Sequence, residues 1–401
     1  MDLADLYRDL HQHPELGFTE KRTAGVAARE LRAAGFEVGE GVGGTGVVGV
    51  LRNGPGPTAL LRADMDALPM AEKTGLPYAS TVVVDGTPVA HACGHDVHVT
   101  CLVGAARKLS ADRTTWKGTV IAVFQPAEEL GSGADAMVDD NLFTRFGRPD
   151  VVLGQHVAPI PAGVVGLRAG PAFAASDSVR LTLHGRGGHG SRPEAAVDPV
   201  VMAAAVVMRL QTIVSRETAA ADTVVVTVGA IHAGTVANII PDDAELLLNI
   251  RTYDPAVRER TLAAIERIAR GEAAAADAPK PPEMTVESGF PAAVNDPDAV
   301  ERTRAALATA VPSVVDPGVG TGSEDVGVFA TSAGVPLVYW LLGGADPAAF
   351  DGATSQEEIF ARVAKQPANH SPLFAPVISP TLDLGTATLT AAARAWLPAT
   401  A

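Results

Sequence analysis

The sequence predicts an α/β fold. A mostly parallel-sheet domain is split in two along the chain by an inserted, smaller ferredoxin-like α+β domain. Three observations carry this. Two short apolar runs bounded by Gly and Pro, GTVIAVFQ at 118–125 and DVVLGQ at 150–155, suit strands buried on both faces. Helically spaced segments separate such runs, which is the mark of an α/β layer architecture. Near Ser176 the pattern changes to strict alternation, as in SVRLTLH at 178–184, which suits a half-buried strand.

Taken in order, residues 5–34 read as one or two helices broken at Pro14, and 45–51 and 58–62 as strands. Residues 97–109 have helical spacing, and the two apolar runs follow. The insert spans 176–287 and reads strand 178–184, apolar helix 199–213, strands 223–231 and 244–252, amphipathic helix 255–270 and an extended segment 283–288. That order, β-α-β-β-α-β, is the split ferredoxin-like unit. Residues 271–282 read as an Ala/Pro-rich loop. After Pro291 the first style returns, with a buried strand at 335–342 and a closing helix at 379–396, so the larger domain comprises 1–175 and 288–401.

Composition excludes several classes. The 401 residues are 47% hydrophobic and 19% charged, which rules out a disordered chain. A formal charge of −15 repels phosphate backbones, so no nucleic-acid partner is expected. Apolar runs are too short to predict a membrane span, and the first residues do not read as a signal peptide. Two cysteines, Cys93 and Cys101, make no disulfide framework, and the cytoplasm is the expected compartment.

Ligands of open parallel sheets gather at the carboxyl ends of the strands. Here those ends are rich in metal-binding types. Asp64 and Asp66 follow one strand, Glu128 and Glu129 another, and His156 a third. The loop before the 97–109 helix holds His91, Cys93, His95, Asp96 and His98, and Asn369-His370-Ser371-Pro372 forms a late loop. A lone histidine at a strand end is more often a satisfied structural residue, and a Glu-Glu pair is more often a solvated face. Joint placement on several strand ends points instead to a divalent transition metal. Cys93 and His95 are two apart, so an extended loop turns both the same way. Adjacent glutamates tend to diverge, leaving one for metal and one as general base beside a metal-bound water. Asp96 is positioned to orient a ligand imidazole.

These segments resemble the dinuclear-metal amidohydrolases and peptidases that include aminoacylases, hippurate hydrolases and plant auxin-conjugate (IAA-amino acid) hydrolases, in the branch with a Cys in its first metal motif. The resemblance runs along nearly the whole chain. It rests on His11-Gln12-His13-Pro14-Glu15, Arg62-Ala63-Asp64-Met65-Asp66, Cys93-Gly94-His95-Asp96, Gln125-Pro126-Ala127-Glu128-Glu129, Gly154-Gln155-His156, Gly187-Gly188-His189-Gly190-Ser191, Ala237-Asn238-Ile239-Ile240-Pro241, Gly322-Ser323-Glu324-Asp325 and Asn369-His370-Ser371-Pro372.

The resemblance implies two divalent ions per chain, with Mn, Zn, Co and Ni all compatible, held by Cys93, His95, Glu129, His156 and His370, Cys93 bridging. It implies Glu128 as the general base and His189 as a donor to the substrate carbonyl, often across a dimer interface. Asn238 and Arg251 match residues of a lid near the substrate, and Arg251 suits a substrate carboxylate. The insert would then be a lid and dimerisation domain, and the larger domain the catalytic one. Many relatives carry His-x-Asp where this chain has Asp64-Met65-Asp66, so Asp64 and Asp66 are expected behind the ligands; His91 and His98 are expected to be structural. The implied reaction is metal-dependent hydrolysis of an N-acyl amino acid, by a homodimer or higher homo-oligomer. A small dipeptidase or carboxypeptidase-type exopeptidase is the alternative. A cysteine hydrolase using Cys93 with His91 or His95, and a non-catalytic metal-stabilised binding protein, are remoter ones.

Overall fold

The computed structural model describes residues 1–399. The chain divides into two compact units. The larger comprises Met1–Ala172, Val294–Val319 and the chain from Asp325 onward, and the smaller Phe173–Ala293 with Gly320–Glu324.

The larger unit is built on an eight-stranded sheet in the order Glu37–Val42, Gly46–Asn53, Gly118–Gln125, Thr58–Asp64, Val151–Pro161, Leu337–Ala345, Val164–Gly166, Ser313–Val315. The four central strands, from Gly118–Gln125 to Leu337–Ala345, run parallel. They are apolar along almost their whole length because both faces are covered. The sheet is mostly parallel as expected, with antiparallel strands outside this core. Gly46–Asn53 runs antiparallel to Gly118–Gln125 and pairs in turn with Glu37–Val42. That strand is joined to Glu37–Val42 by a turn too short for a parallel crossover. In the turn Gly43 has φ +61°, and an added Cβ would lie 2.5 Å from the Met137 amide, so only glycine fits.

Helices Leu3–His11 and Lys21–Ala33 flank Pro14 as expected, and His95–Ala111 and Ile378–Trp396 complete the main cover. Leu10, Leu31, Leu61, Leu102, Trp116 and Trp340 belong to the buried core between helices and sheet. Two helices that periodicity did not reveal, Pro297–Ala310 and Gln356–Val363, also belong to this unit.

In the smaller unit, an antiparallel sheet runs Val224–His232, Asp243–Thr252, Ala175–His184, Glu283–Phe290. With helices Pro199–Thr212 and Pro255–Ala275 this is the expected β-α-β-β-α-β order. Both helices start on Asp-Pro. Asp198 and Asp254 accept from the free amides of the first turn, and the proline supplies the first helical φ. The second helix runs past the expected 270 to Ala275, because the alanines after Gly271 are the best helix formers. The apolar stretch Pro199–Glu217 is long and apolar enough to cross a membrane by length and composition alone. Its Met202, Ala203, Val206 and Leu210 are nevertheless buried in this unit's own core.

Leu246 is fully buried in that core on a central strand. Leu246→Ala should destabilise the smaller unit by about 2–5 kcal/mol, read as a lowered denaturant midpoint.

Candidate metal centre

In the larger unit the parallel register brings the polar strand ends level. Asp64 pairs with Gln125, and Arg62 lies opposite Gly154, so His156 is two residues further along, beside Asp64. The Cys93–His95 loop is set by Gly94, whose φ of +86° turns the chain into the helix; a Cβ there would come within 2.3 Å of Val157 Cγ1. The late loop is stapled onto it. The Asn369 side-chain amide donates to the carbonyls of Cys93 (3.0 Å) and Val157 (3.1 Å), and the His370 amide donates to Ala92 O (2.8 Å).

Five side chains from four segments therefore converge. Cys93 Sγ is 3.5 Å from His156 Nε2. His370 Nε2 is 3.2 Å from Glu129 Oε1. His95 Nε2 lies 3.7 Å from Asp64 Oδ2, 3.8 Å from Glu128 Oε2 and 3.9 Å from Glu129 Oε1. Cys93 takes part in two ligand groups, one with His95 and His156 and one with Glu129 and His370, each with its ligand atoms within 4.8 Å of one another.

Two buried atoms of this cluster, His95 Nε2 and Glu129 Oε1, form no hydrogen bond. Buried polar atoms without partners are costly. Atoms that face each other at nearly 4 Å without bonding have the spacing expected around a shared cation, since ligand bonds of about 2.0–2.3 Å place neighbouring donors about 3–4 Å apart. The mixture of thiol, imidazole and carboxylate suits a borderline-soft divalent ion. The donor set fits the metal centre that the sequence implies.

The electrostatics point the same way. The Cys93 thiol and Glu129 oxygens beside His370 raise its pKa to about 10. Burial pulls His95 down, but Asp64 and Cys93 outweigh it and hold the ring well above the usual histidine range. Burial pushes the Cys93 thiol up, the reverse of what an activated cysteine nucleophile needs. The acidic groups of the cluster favour positive charge on its histidines, and a bound cation would take the place of those protons.

Asp66 ties the arrangement together. Its Oδ1 accepts from the Glu128 amide (3.1 Å) and lies 3.2 Å from His95 Nδ1, and its Oδ2 accepts from the Glu129 amide (3.0 Å). One carboxylate thus orients a candidate ligand imidazole and fixes both glutamates. Asp96, expected to orient a ligand imidazole, does not. Lying in the first turn of the helix, it accepts from Val97 N and turns to His11, with Oδ2 2.6 Å from Nδ1. His11 in turn reaches Glu72 at 3.1 Å. His98 is a structural residue, as expected. Its Nδ1 meets Asp64, and its Nε2 accepts from Val157 N (2.8 Å). His91 is buried, with neither ring nitrogen hydrogen-bonded.

Sequence reasoning assigned no role to Arg62 or Glu20. Arg62 is buried and donates to Asp64 (2.6 Å), Gln125 (2.7 Å) and Asp325 (3.1 Å) beneath the site. A charged residue inside an apolar strand was the available signal. Glu20 Oε1 accepts from the amide of Ala127 (2.8 Å), whose left-handed φ of +49° aims the chain into Glu128.

The remaining predicted residues lie in the smaller unit. His189 is exposed on Gly188–His189, paired with Ile239–Ile240. Its Nδ1 accepts from the Ser191 amide (3.1 Å), so the neutral ring carries its proton on Nε2. Asn238 is exposed, and its carbonyl accepts from Gly190 N (2.8 Å), which sets it beside the His189 loop. Arg251 is half-buried on Asp243–Thr252. It donates to Asn249 Oδ1 (3.2 Å), Thr321 O (2.8 Å) and Ser323 Oγ (3.1 Å).

An α/β sheet whose strand ends gather Cys, His and paired glutamates defines a metal-dependent amide hydrolase. The chain belongs to peptidase family M20/M25/M40, whose sequence profile matches residues 60–365. It is 44% identical over 270 residues to hippurate hydrolase from Campylobacter jejuni, covering 67% of this chain and 69% of that one. It is 36% identical over 346 residues to thermostable carboxypeptidase 1 from Saccharolobus solfataricus, covering 85% of each. The crystal structure of the Bacillus subtilis YXEP protein, a dinuclear metal-binding peptidase of the M20 family, superposes with a TM-score of 0.78 at 28% identity, over 98% of this chain and 96% of that one.

The His11 contacts carry a pH signature. Burial lowers its pKa, but Asp96 and Glu72 outweigh this and raise it to about 10. Its ion pairs therefore stabilise the fold fully below the unfolded value near 6.5 and are lost as pH rises towards 10. The stability advantage of wild type over His11→Gln should shrink between these limits, by up to about 1.4 kcal/mol per pH unit. Denaturant titrations of both proteins at neutral and alkaline pH check this.

Proposed function

We propose that this chain hydrolyses the amide bond of N-acyl amino acids. The observation that carries the reading is the pair Glu128–Glu129. Both amides are clamped by Asp66, while Glu129 Oε1 enters the ligand cluster and Glu128 stands beside it. Cys93, His95, Glu129, His156 and His370 would hold two divalent ions, Cys93 shared between them; its place in two of the candidate ligand groups supports this. When bound, the metals would polarise the scissile carbonyl and acidify the attacking water. Mn, Zn, Co or Ni would serve.

Glu128 then accepts the proton of the attacking water and passes it to the departing amine nitrogen, as a general base and then a general acid. Nε2–H of His189 donates to the carbonyl oxygen as negative charge develops there. Arg251 and Asn238 hold the carboxylate of the amino-acid half. In this reading 1–175 and 288–401 form the catalytic domain and 176–287 a lid and dimerisation domain of a cytoplasmic homodimer or higher homo-oligomer. Exposed apolar residues on one helix of that segment, Val201 at 66% and Met208 at 72%, support a surface that a second copy covers.

The likeness to hippurate hydrolase favours an N-acyl amino acid substrate, since hippurate is N-benzoylglycine. The likeness to a carboxypeptidase favours the second reading, an exopeptidase on the same metal site. A panel of N-acetyl, N-benzoyl and indole-acyl amino acids plus dipeptides separates them. Preference for dipeptides with a free α-amino group would overturn the first reading.

Chelation should abolish amino-acid release, and one or more of the four metals should restore it. Chelator-resistant turnover would count against the metal reading. Glu128→Gln should lower kcat by about 100-fold or more while the metal content, read by elemental analysis, stays at that of wild type. Full activity in that variant would remove Glu128 as the base.

A further inference from the structure

The turn that carries the two glutamates ends in a side chain the reading above does not use. Gly131 N donates to Glu128 O (2.8 Å), closing a four-residue turn with Glu129 and Leu130 at its centre. Leu130 follows Glu129 directly and is 55% exposed. A large apolar side chain at the tip of a loop adds nothing to the core, and a polar residue would serve a solvated turn equally well.

Its floor is specific. The Cβ position of Gly17 lies 2.9 Å from Leu130 Cδ1 and 3.2 Å from Ala127 Cα, so the absent side chain at Gly17 lets Leu130 lie against the backbone there. The next residue, Phe18, is also exposed, at 38%, with an unusual φ of +60° for an aromatic residue. Both loops are anchored to one strand-end segment. Glu15 O accepts from Ala67 N (2.9 Å), while the Glu128 and Glu129 amides bond to Asp66. Leu130 is thus held at the rim of the glutamate pair, in the turn that Asp66 fixes, while Phe18 lies against Gly44 on the neighbouring loop.

We infer that Leu130 determines acyl-group specificity, forming the apolar wall against which the acyl half of the substrate packs. This rests on the proposed hydrolysis of N-acyl amino acids. The two halves of such a substrate differ in what they need. The amino-acid half presents a carboxylate, which an apolar wall beside acidic residues cannot hold. The acyl half presents hydrocarbon, which gains from covering Leu130. The ligand class is an apolar acyl group larger than acetyl, aromatic or medium-chain.

The test compares kcat/KM for N-acetylglycine and N-benzoylglycine in the metal-loaded wild type, Leu130→Ser and Leu130→Met. In Leu130→Ser the benzoyl-to-acetyl ratio should fall about tenfold, the size expected when an apolar contact to one substrate is deleted, with acetyl turnover held within about twofold. Leu130→Met should restore most of the ratio, and metal content and melting temperature should match wild type in both variants. An unchanged ratio in Leu130→Ser overturns the inference alone, as does an equal loss on both substrates, which marks a positioning role for the turn. If wild type cleaves no N-acylated amino acid, the functional reading falls and takes this inference with it.

Discussion

The candidate site depends on one carboxylate. Asp66 accepts from two consecutive backbone amides and faces the inner nitrogen of His95. Two adjacent residues on an irregular loop have no reason of their own to hold fixed directions. Clamping both amides fixes the backbone and leaves the side chains to diverge, one into the ligand cluster and one alongside it. The same group orients His95, because a carboxylate at Nδ1 holds a proton there and turns Nε2 towards the cluster. Glu20 braces the turn from the other side by holding the strained amide of Ala127.

Beneath Asp66 lies a second layer of charge. Arg62 is enclosed by Asp64, Gln125, Asp325 and Tyr339, and the Gln125 amide donates in turn to Asp325. A guanidinium inside a sheet is tolerable only when its donors find acceptors. Burial raises the Asp64 carboxyl, but Arg62, His95 and His98 outweigh it and keep the group ionised. The floor of the site therefore presents fixed negative charge to the histidines above it, and its geometry is set by hydrogen bonds on every side. Such a network favours one arrangement of the strand ends over many.

Much of this was legible in the sequence. The apolar runs at 118–125 and 150–155 can be satisfied only between covered faces, and Asp-Pro pairs mark helix starts by their own chemistry. The ligand types at the strand ends could be read because Cys, His and paired Glu are rare company at the end of an apolar strand. What stayed hidden was set by long-range contact. Asp96 sits beside His95 in sequence yet serves His11, since a helical turn points neighbours apart. Asp66 outranks it through amides more than sixty residues away. The helix Pro297–Ala310 escaped notice because two of its buried positions, Ala299 and Thr303, are small or polar and weaken the periodicity that Val300 and Leu307 carry.

The stapling of the late loop has a consequence for how the molecule is made. Asn369 and His370 close onto Cys93, 276 residues after it in the case of the asparagine. During synthesis the ribosome delivers the candidate donors Cys93, His95, Glu129 and His156 long before His370 exists. A nascent chain offers an open thiol-imidazole half-site, with neither the Asn369 clamp on Cys93 nor His370 against Glu129. The complete cluster exists only once His370 has been made and its loop has docked. An ion held by this cluster could be enclosed only after that loop has been made and has shut.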